Sequence, residues 1–123
     1  MNKPSESLEN YLKAIYELQR ANGSVRSVDI ARRLGCSKAS VCVAMKKLRL
    51  EGLIEMDCKK DIRLTAQGET QAAALRETYL LIKRYLTGVL DVDEQTAARD
   101  ACRMEHVLSS ETLQKTKLAL RGM

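Results

Sequence analysis

Hydrophobic spacing along this chain changes period once and then changes back, and that limits the architectures open to it. From residue 7 to residue 51 apolar side chains recur every three or four positions. Over residues 53–64 they alternate with polar ones, and from Thr65 the longer period returns. The first spacing puts side chains on one face of a helix, the second on one face of a strand. Residues 7–21 set Leu8, Tyr11, Leu12, Ile15 and Leu18 on one helical face, with Ser5 or Ser7 as cap and Asn22-Gly23 as stop. Ser27 is the expected N-cap of a second, short helix that reaches Leu34 and is ended by Gly35. A third helix over 38–51 turns Val41, Ala44, Met45 and Leu48 inward, and Gly52 ends it.

The alternating stretch is a hairpin: Ile54 and Met56 alternate with Glu55 and Asp57, and Ile62 and Leu64 flank Arg63. Val25 is placed to add a short third strand. Two helices joined by a tight Gly-containing turn, followed by a hairpin, predict a winged helix-turn-helix. Beyond Thr65 a long helix to about Leu86 carries the stripe Ala72, Leu75, Tyr79, Ile82 and Leu86, widened by Leu80, Leu81 and Tyr85. A helix apolar over so much of its surface needs more than one wall. Gly88 ends it. Asp93 is the expected cap of a fifth helix over 94–106, and Ser109 of a sixth over 110–120. Three helices cannot bury that surface alone, which implies a twofold homodimer. The fold class is mainly α, with a winged helix-turn-helix over 1–66 and an all-α dimerisation segment over 67–123.

Charge points to the partner of the first segment. Residues 1–70 hold 13 Lys and Arg against 9 Asp and Glu, whereas residues 71–123 hold 8 against 7. A basic N-terminal half suits an anionic partner, or simply a solvated basic surface. Aromatic residues make up only 3%, with no Trp or Phe, which leaves little surface for stacking single-stranded bases. Cys36, Cys42, Cys58 and Cys102 have no metal-ribbon or redox-motif spacing. The first residues lack the apolar run of a signal peptide, and no stretch approaches a membrane span. Reduced thiols and a cytoplasmic location are expected, with no membrane partner.

A recognition helix reads base edges in the major groove with its N-terminal residues and grips phosphate with flanking ones. The third helix offers Ser37, Lys38, Ser40, Cys42, Val43, Lys46 and Lys47 on its outer face, together with Arg49. Val43 is either a reader of thymine methyls or a tolerated surface residue. The hairpin adds Lys59 and Lys60 at its tip and Arg63 beside it, as a wing needs to reach the backbone of double-stranded DNA.

One cluster carries inorganic chemistry. Cys102, Glu105 and His106, the last the only His of the chain, fall on one face of the fifth helix at i, i+3 and i+4. Thiolate, carboxylate and imidazole are then either ligands to one ion or a packed Cys beside a polar rim.

Several stretches together resemble the diphtheria-toxin-repressor family of iron- and manganese-dependent transcriptional repressors, which includes the manganese transport regulators. They are Tyr11-Leu12-Lys13-Ala14-Ile15-Tyr16-Glu17-Leu18, Ser27-Val28-Asp29-Ile30-Ala31-Arg32-Arg33-Leu34-Gly35, Leu64-Thr65-Ala66-Gln67-Gly68 and Asp100-Ala101-Cys102-Arg103-Met104-Glu105-His106-Val107-Leu108-Ser109. The length is similar to the short type without an SH3-like domain. The resemblance implies a homodimeric repressor of metal-homeostasis genes that binds a palindromic operator once a divalent ion, iron(II) or manganese(II), occupies one site per subunit. It implies Cys102, Glu105 and His106 as ligands, with Asn10 standing where the family often has Met or Asp. Lys13 replaces a first-helix carboxylate of manganese-type members, and Ala98 another ligand. A second family site has Tyr79 and Lys83 at its matching positions, and the ammonium argues against a cation there. The thiolate of Cys102 favours iron(II), cobalt, nickel or zinc over manganese. The competing reading is a winged-helix regulator that ignores metal or responds to redox state through Cys42 and Cys58. No nucleophile elbow, phosphate loop or orienting triad is present, so an enzyme is not expected.

Overall fold

The structure is a computed structural model that describes residues 6–122. Its elements are α1 (Glu6–Asn22), α2 (Ser27–Leu34), α3 (Lys38–Leu50), β1 (Ile54–Met56), β2 (Ile62–Leu64), α4 (Ala66–Gly88), α5 (Glu94–Met104) and α6 (Ser110–Arg121). They form two compact units that meet between Ala73 and Ala74, inside α4.

The first unit closes on a single core. Leu12 and Ile15 of α1, Ile30 of α2, Val41 and Leu48 of α3, and Ile62 of β2 pack in one cluster with Leu53 and Val25. Burying an aliphatic side chain of this size contributes about 1.5–3 kcal/mol, so spacing alone commits these helices to one another. The hairpin pairs Ile54 with Leu64, Glu55 with Arg63 and Met56 with Ile62, antiparallel. Its buried positions, Ile54, Ile62 and Leu64, face this core.

Turn chemistry follows the glycines closely. Gly23 has a φ of +79° and donates its N–H to Gln19 O at 2.8 Å, closing α1. Gly35, at φ 65° and ψ 36°, takes the left-handed position that ends α2. A different constraint acts at Gly68. A Cβ there would stand 2.0 Å from the carbonyl oxygen of Leu53. The start of α4 therefore presses on the strand entry, and only glycine permits it. Thr65 locks the same corner: its Oγ1 accepts from Gly68 N at 3.1 Å and donates to Gly52 O at 2.7 Å.

Some local expectations shift. Ser7 lies inside α1 and is not its cap, and the Ser5 alternative falls outside the described residues. Arg26, not Ser27, is the N-cap of α2; Asp29 Oδ2 accepts from Arg26 N at 3.0 Å, a role Ser27 cannot share once it has joined the helix. Val25 does not form a third strand among the described residues; one hydrogen bond, Ile62 N to Val25 O at 2.8 Å, ties it to β2. The fifth helix ends at Met104, because residues 105–107 turn: Val107 N donates to Met104 O at 3.1 Å.

The second unit is thinner. Its buried cluster is Ile82, Leu86, Ala97 and Ala101, with Tyr79, Val92, Met104, Leu108 and Leu113 partly covered around it. Asp93 caps α5 by accepting from Gln95 N at 3.1 Å, and Ser109 caps α6 by accepting from Thr112 N at 3.2 Å. Leu80, Leu90, Val107 and Leu118 stay exposed.

Candidate DNA-binding surface and metal centre

The outer face of α3 is as basic as its sequence requires. Because Val41, Ala44, Met45 and Leu48 are buried, Lys38, Ser40, Cys42, Val43, Lys46, Lys47 and Arg49 are exposed. Val43 is 55% exposed, an apolar residue held out of the core by its position on the helix. Ser37 caps the helix: its Oγ accepts from Ser40 N at 3.1 Å and donates to Ser40 Oγ at 3.0 Å. That bond holds the first turn, the part of a recognition helix nearest bases. An open groove of about 440 Å³ runs between α1 and α3, lined by Ser7, Leu8, Tyr11, Ser40, Val43 and Lys47.

Behind this face, Tyr11 OH donates to Cys36 Sγ at 3.6 Å, joining α1 to the turn before α3. This hydrogen bond, with burial and the thiolate charge adding to it, raises the Tyr11 pKa above its usual value.

The wing tip is shaped by Asp57. Its Oδ1 accepts from Lys59 N at 2.9 Å and from Asp61 N at 3.0 Å, and its carbonyl accepts from Lys60 N at 3.0 Å. Lys60 takes a φ of +65°, where glycine or asparagine is the common choice. Lys59 and Lys60 are exposed at the tip, and Arg63 is exposed on β2 opposite Glu55. Arg26, which lies outside both α3 and the hairpin, pairs with Asp61 of the wing, Nε to Oδ1 at 3.7 Å. Only the long-range Val25–Ile62 bond brings it there, and no local spacing signals that.

In the second unit, Glu105 and His106 are both buried, with His106 Nε2 3.5 Å from Glu105 Oε1. Cys102 is half-buried one helical turn earlier and, like the other three cysteines, is in no disulfide. The i, i+3, i+4 argument assumed helix through residue 106. With α5 ending at Met104, no three His, Cys, Asp or Glu side chains among the described residues stand together as a ready cage. The structure brings the carboxylate and the imidazole together. The donor types nonetheless fit a divalent transition ion: carboxylate oxygen and neutral imidazole nitrogen are common ligands, and a cation offsets the charge of a buried carboxylate. Asn10 is half-buried on α1 of the first unit, between buried Glu9 and, a turn on, buried Lys13. At the positions matching the family's second site, Lys83 Nζ pairs with Glu94 Oε1 at 3.4 Å, so its charge is already matched. No helix among the described residues is long and apolar enough to cross a membrane.

Comparison with known proteins agrees with both halves. Residues 3–62 match the family model for the iron dependent repressor N-terminal DNA binding domain, and residues 65–121 the model for the iron dependent repressor metal binding and dimerisation domain. The transcriptional regulator MntR of Escherichia coli is 41% identical over 113 residues, spanning 92% of this chain and 72% of that protein. The diphtheria toxin repressor of Corynebacterium diphtheriae is 29% identical, over 96% of this chain and 52% of that protein. Among solved structures, the manganese regulator SloR superposes with a TM-score of 0.82 at 28% identity, covering 98% of this chain and 55% of that one. The chain thus spans about half the length of the last two. These relatives are regulators and not enzymes, and with a basic recognition helix, a wing and a helical second unit in the same order, the chain belongs to the iron-dependent repressor family of DNA-binding transcriptional regulators.

Proposed function

We propose that this protein is a cytoplasmic, metal-responsive repressor that binds a palindromic operator as a homodimer. Cys102, Glu105 and His106 are the proposed donors to one divalent ion per subunit, iron(II) or manganese(II), and Asn10 is the further donor that the family resemblance suggests. When bound, such an ion supplies positive charge and directed coordination to these donors. The observation that carries the reading is the buried contact between Glu105 and His106, at 3.5 Å, in the segment matched to a metal-binding domain.

The roles of the chain's own residues follow from their chemistry. Lys38, Lys46, Lys47, Lys59, Lys60 and Arg63 supply charge to phosphate, Ser37 and Ser40 hydroxyls, and Val43 an apolar contact to bases. Cys42 lies among them on the same face of α3. Two recognition helices read a palindrome only at a fixed spacing, so the dimer must be held in one arrangement. Metal responsiveness requires the donors to favour that arrangement over others.

Fluorescence anisotropy on duplex DNA from upstream of the coding region tests this, with chelator in one series and reduced iron(II) or manganese(II) in another. Tightening of about tenfold, a coupling of about 1.4 kcal/mol, is expected in the native protein. It should vanish in the Cys102→Ala, His106→Ala double variant; metal activation that survives there removes these residues from the role. Replacing Lys46 and Lys59 by Ala should lower the slope of log affinity against log salt by about 1.8 and weaken all sequences alike. An unchanged slope rejects the DNA-facing assignment.

A further inference from the structure

Arg26 is brought beside the wing by the main chain of its neighbour Val25 and keeps a largely exposed side chain. Ile62 N donates to Val25 O at 2.8 Å, so the residue before it runs beside β2. Its own N–H donates to Asp29 Oδ2 at 3.0 Å, setting the start of α2. The Arg26 side chain remains 58% exposed, and the ion pair it makes, to Asp61 at 3.7 Å, is with a carboxylate of the wing. Asp61 is itself held at the tip: its N–H donates to Asp57 Oδ1 at 3.0 Å and its carbonyl accepts from Asp57 N at 3.2 Å. It stands next in sequence to Lys60, in a tip where Asp57 and Asp61 accompany Lys59 and Lys60.

An exposed ion pair of this length is weak and screened by salt. A guanidinium on a phosphate makes charge-assisted, bidentate bonds and releases condensed counterions. We infer that Arg26 is a further phosphate-binding residue of the wing, with Asp61 as its counter-ion in the free protein, exchanged for a DNA phosphate on binding. The inference rests on the proposed reading that the wing meets duplex DNA. It extends the basic surface from the hairpin, Lys59, Lys60 and Arg63, to the segment that enters α2. Asp61 then tempers binding by competing with DNA for one arginine.

The test is a salt series of anisotropy titrations on a 20-base-pair duplex with the full chain, Arg26→Ala, Asp61→Asn and the double variant. Arg26→Ala should lower the salt slope by about 0.9 and weaken binding roughly fivefold to tenfold near 0.1 M salt, with an unchanged melting temperature. Asp61→Asn should tighten binding about twofold to fivefold, and the double variant should bind as Arg26→Ala does. An unchanged slope in Arg26→Ala overturns the inference. So does an Asp61→Asn that weakens binding as Arg26→Ala does, which makes the pair a brace for the wing. Equal tightening by Asp61→Asn with and without Arg26 overturns it too, since Asp61 then acts on DNA by repulsion alone. Loss of all salt-dependent binding in the unaltered protein sinks instead the underlying DNA reading.

Discussion

The first unit is closed and the second is open. Fourteen residues form one buried cluster around α1, α2, α3 and the hairpin, whereas the described residues of the second unit bury four in theirs. The first unit ends its helices with left-handed glycines and ties its corners by hydrogen bonds from Thr65 and Gln19; Leu64 N donates to Gln19 Oε1 at 3.2 Å while Gln19 Nε2 donates to Glu69 at 3.2 Å. The second caps its helices equally well, and both leave apolar side chains in solvent: Val28, Leu34, Val43 and Leu50 in the first, Leu80, Val89, Leu90, Val107 and Leu118 in the second. Local helix quality is thus not what separates them. The difference lies in the size of the buried core each builds from its own chain. A reading head must present the same geometry to every operator, which suits a self-sufficient core. A dimerisation module must keep apolar surface for its partner.

The contrast can be broken most directly at Gly68. Gly68→Ala forces a Cβ against the Leu53 carbonyl and should cost the first unit more than about 3 kcal/mol. Calorimetry on the full chain should show a lowered first-unit transition; a loss below about 1 kcal/mol means that the corner yields and the unit is less closed than described. Next in size is dilution. If the second unit is completed by its partner, a hundredfold dilution removes about 2.7 kcal/mol from its stability and nothing from the first unit. Melting that is independent of concentration in both units abolishes the distinction. Ser37→Ala sharpens it within the first unit, since loss of the Ser40 N–H acceptor should cost about 1 kcal/mol and loosen the first turn of α3 in hydrogen exchange. Protection that stays native there would show that the core alone holds that turn. The smallest effect is expected at pH. The raised pKa of Tyr11 means that the stabilisation from its neutral hydroxyl is complete below the unfolded value of about 10 and is lost as pH rises through the higher folded value. Tyr11→Phe should flatten that alkaline loss in the first unit, and an identical pH profile would show that the Cys36 contact does not matter to stability.

Most of the winged helix could be read in advance because its determinants are local. Buried Leu12, Ile15, Val41, Ala44, Met45 and Leu48 recur at helical spacing, and Ile54, Ile62 and Leu64 alternate. The exposed face of α3 is then fixed by subtraction, which is why Lys46, Lys47 and Val43 were assignable from spacing alone. The wing lysines were legible because a turn needs polar residues and these carry charge. The proposed metal donors are harder: Cys102, Glu105 and His106 stand out as residue types, but their mutual placement depends on a turn that begins where α5 stops, at Met104. Helix ends are set by competing caps and turns, which periodicity does not record.

By itself the sequence determined the order of elements, the sidedness of each helix and the sign of charge on the reading head, because each depends on residues a few positions apart. The tertiary structure alone decided three things that depend on distant residues. Gly68 is required by a carbonyl fifteen positions earlier. Arg26 reaches Asp61 of the wing because its neighbour Val25 accepts a strand-like bond from Ile62. Glu105 and His106 are buried together by the packing around them. Burial and close approach arise from the chain returning on itself, and a pattern of neighbours along the chain carries no record of which distant backbone it will meet.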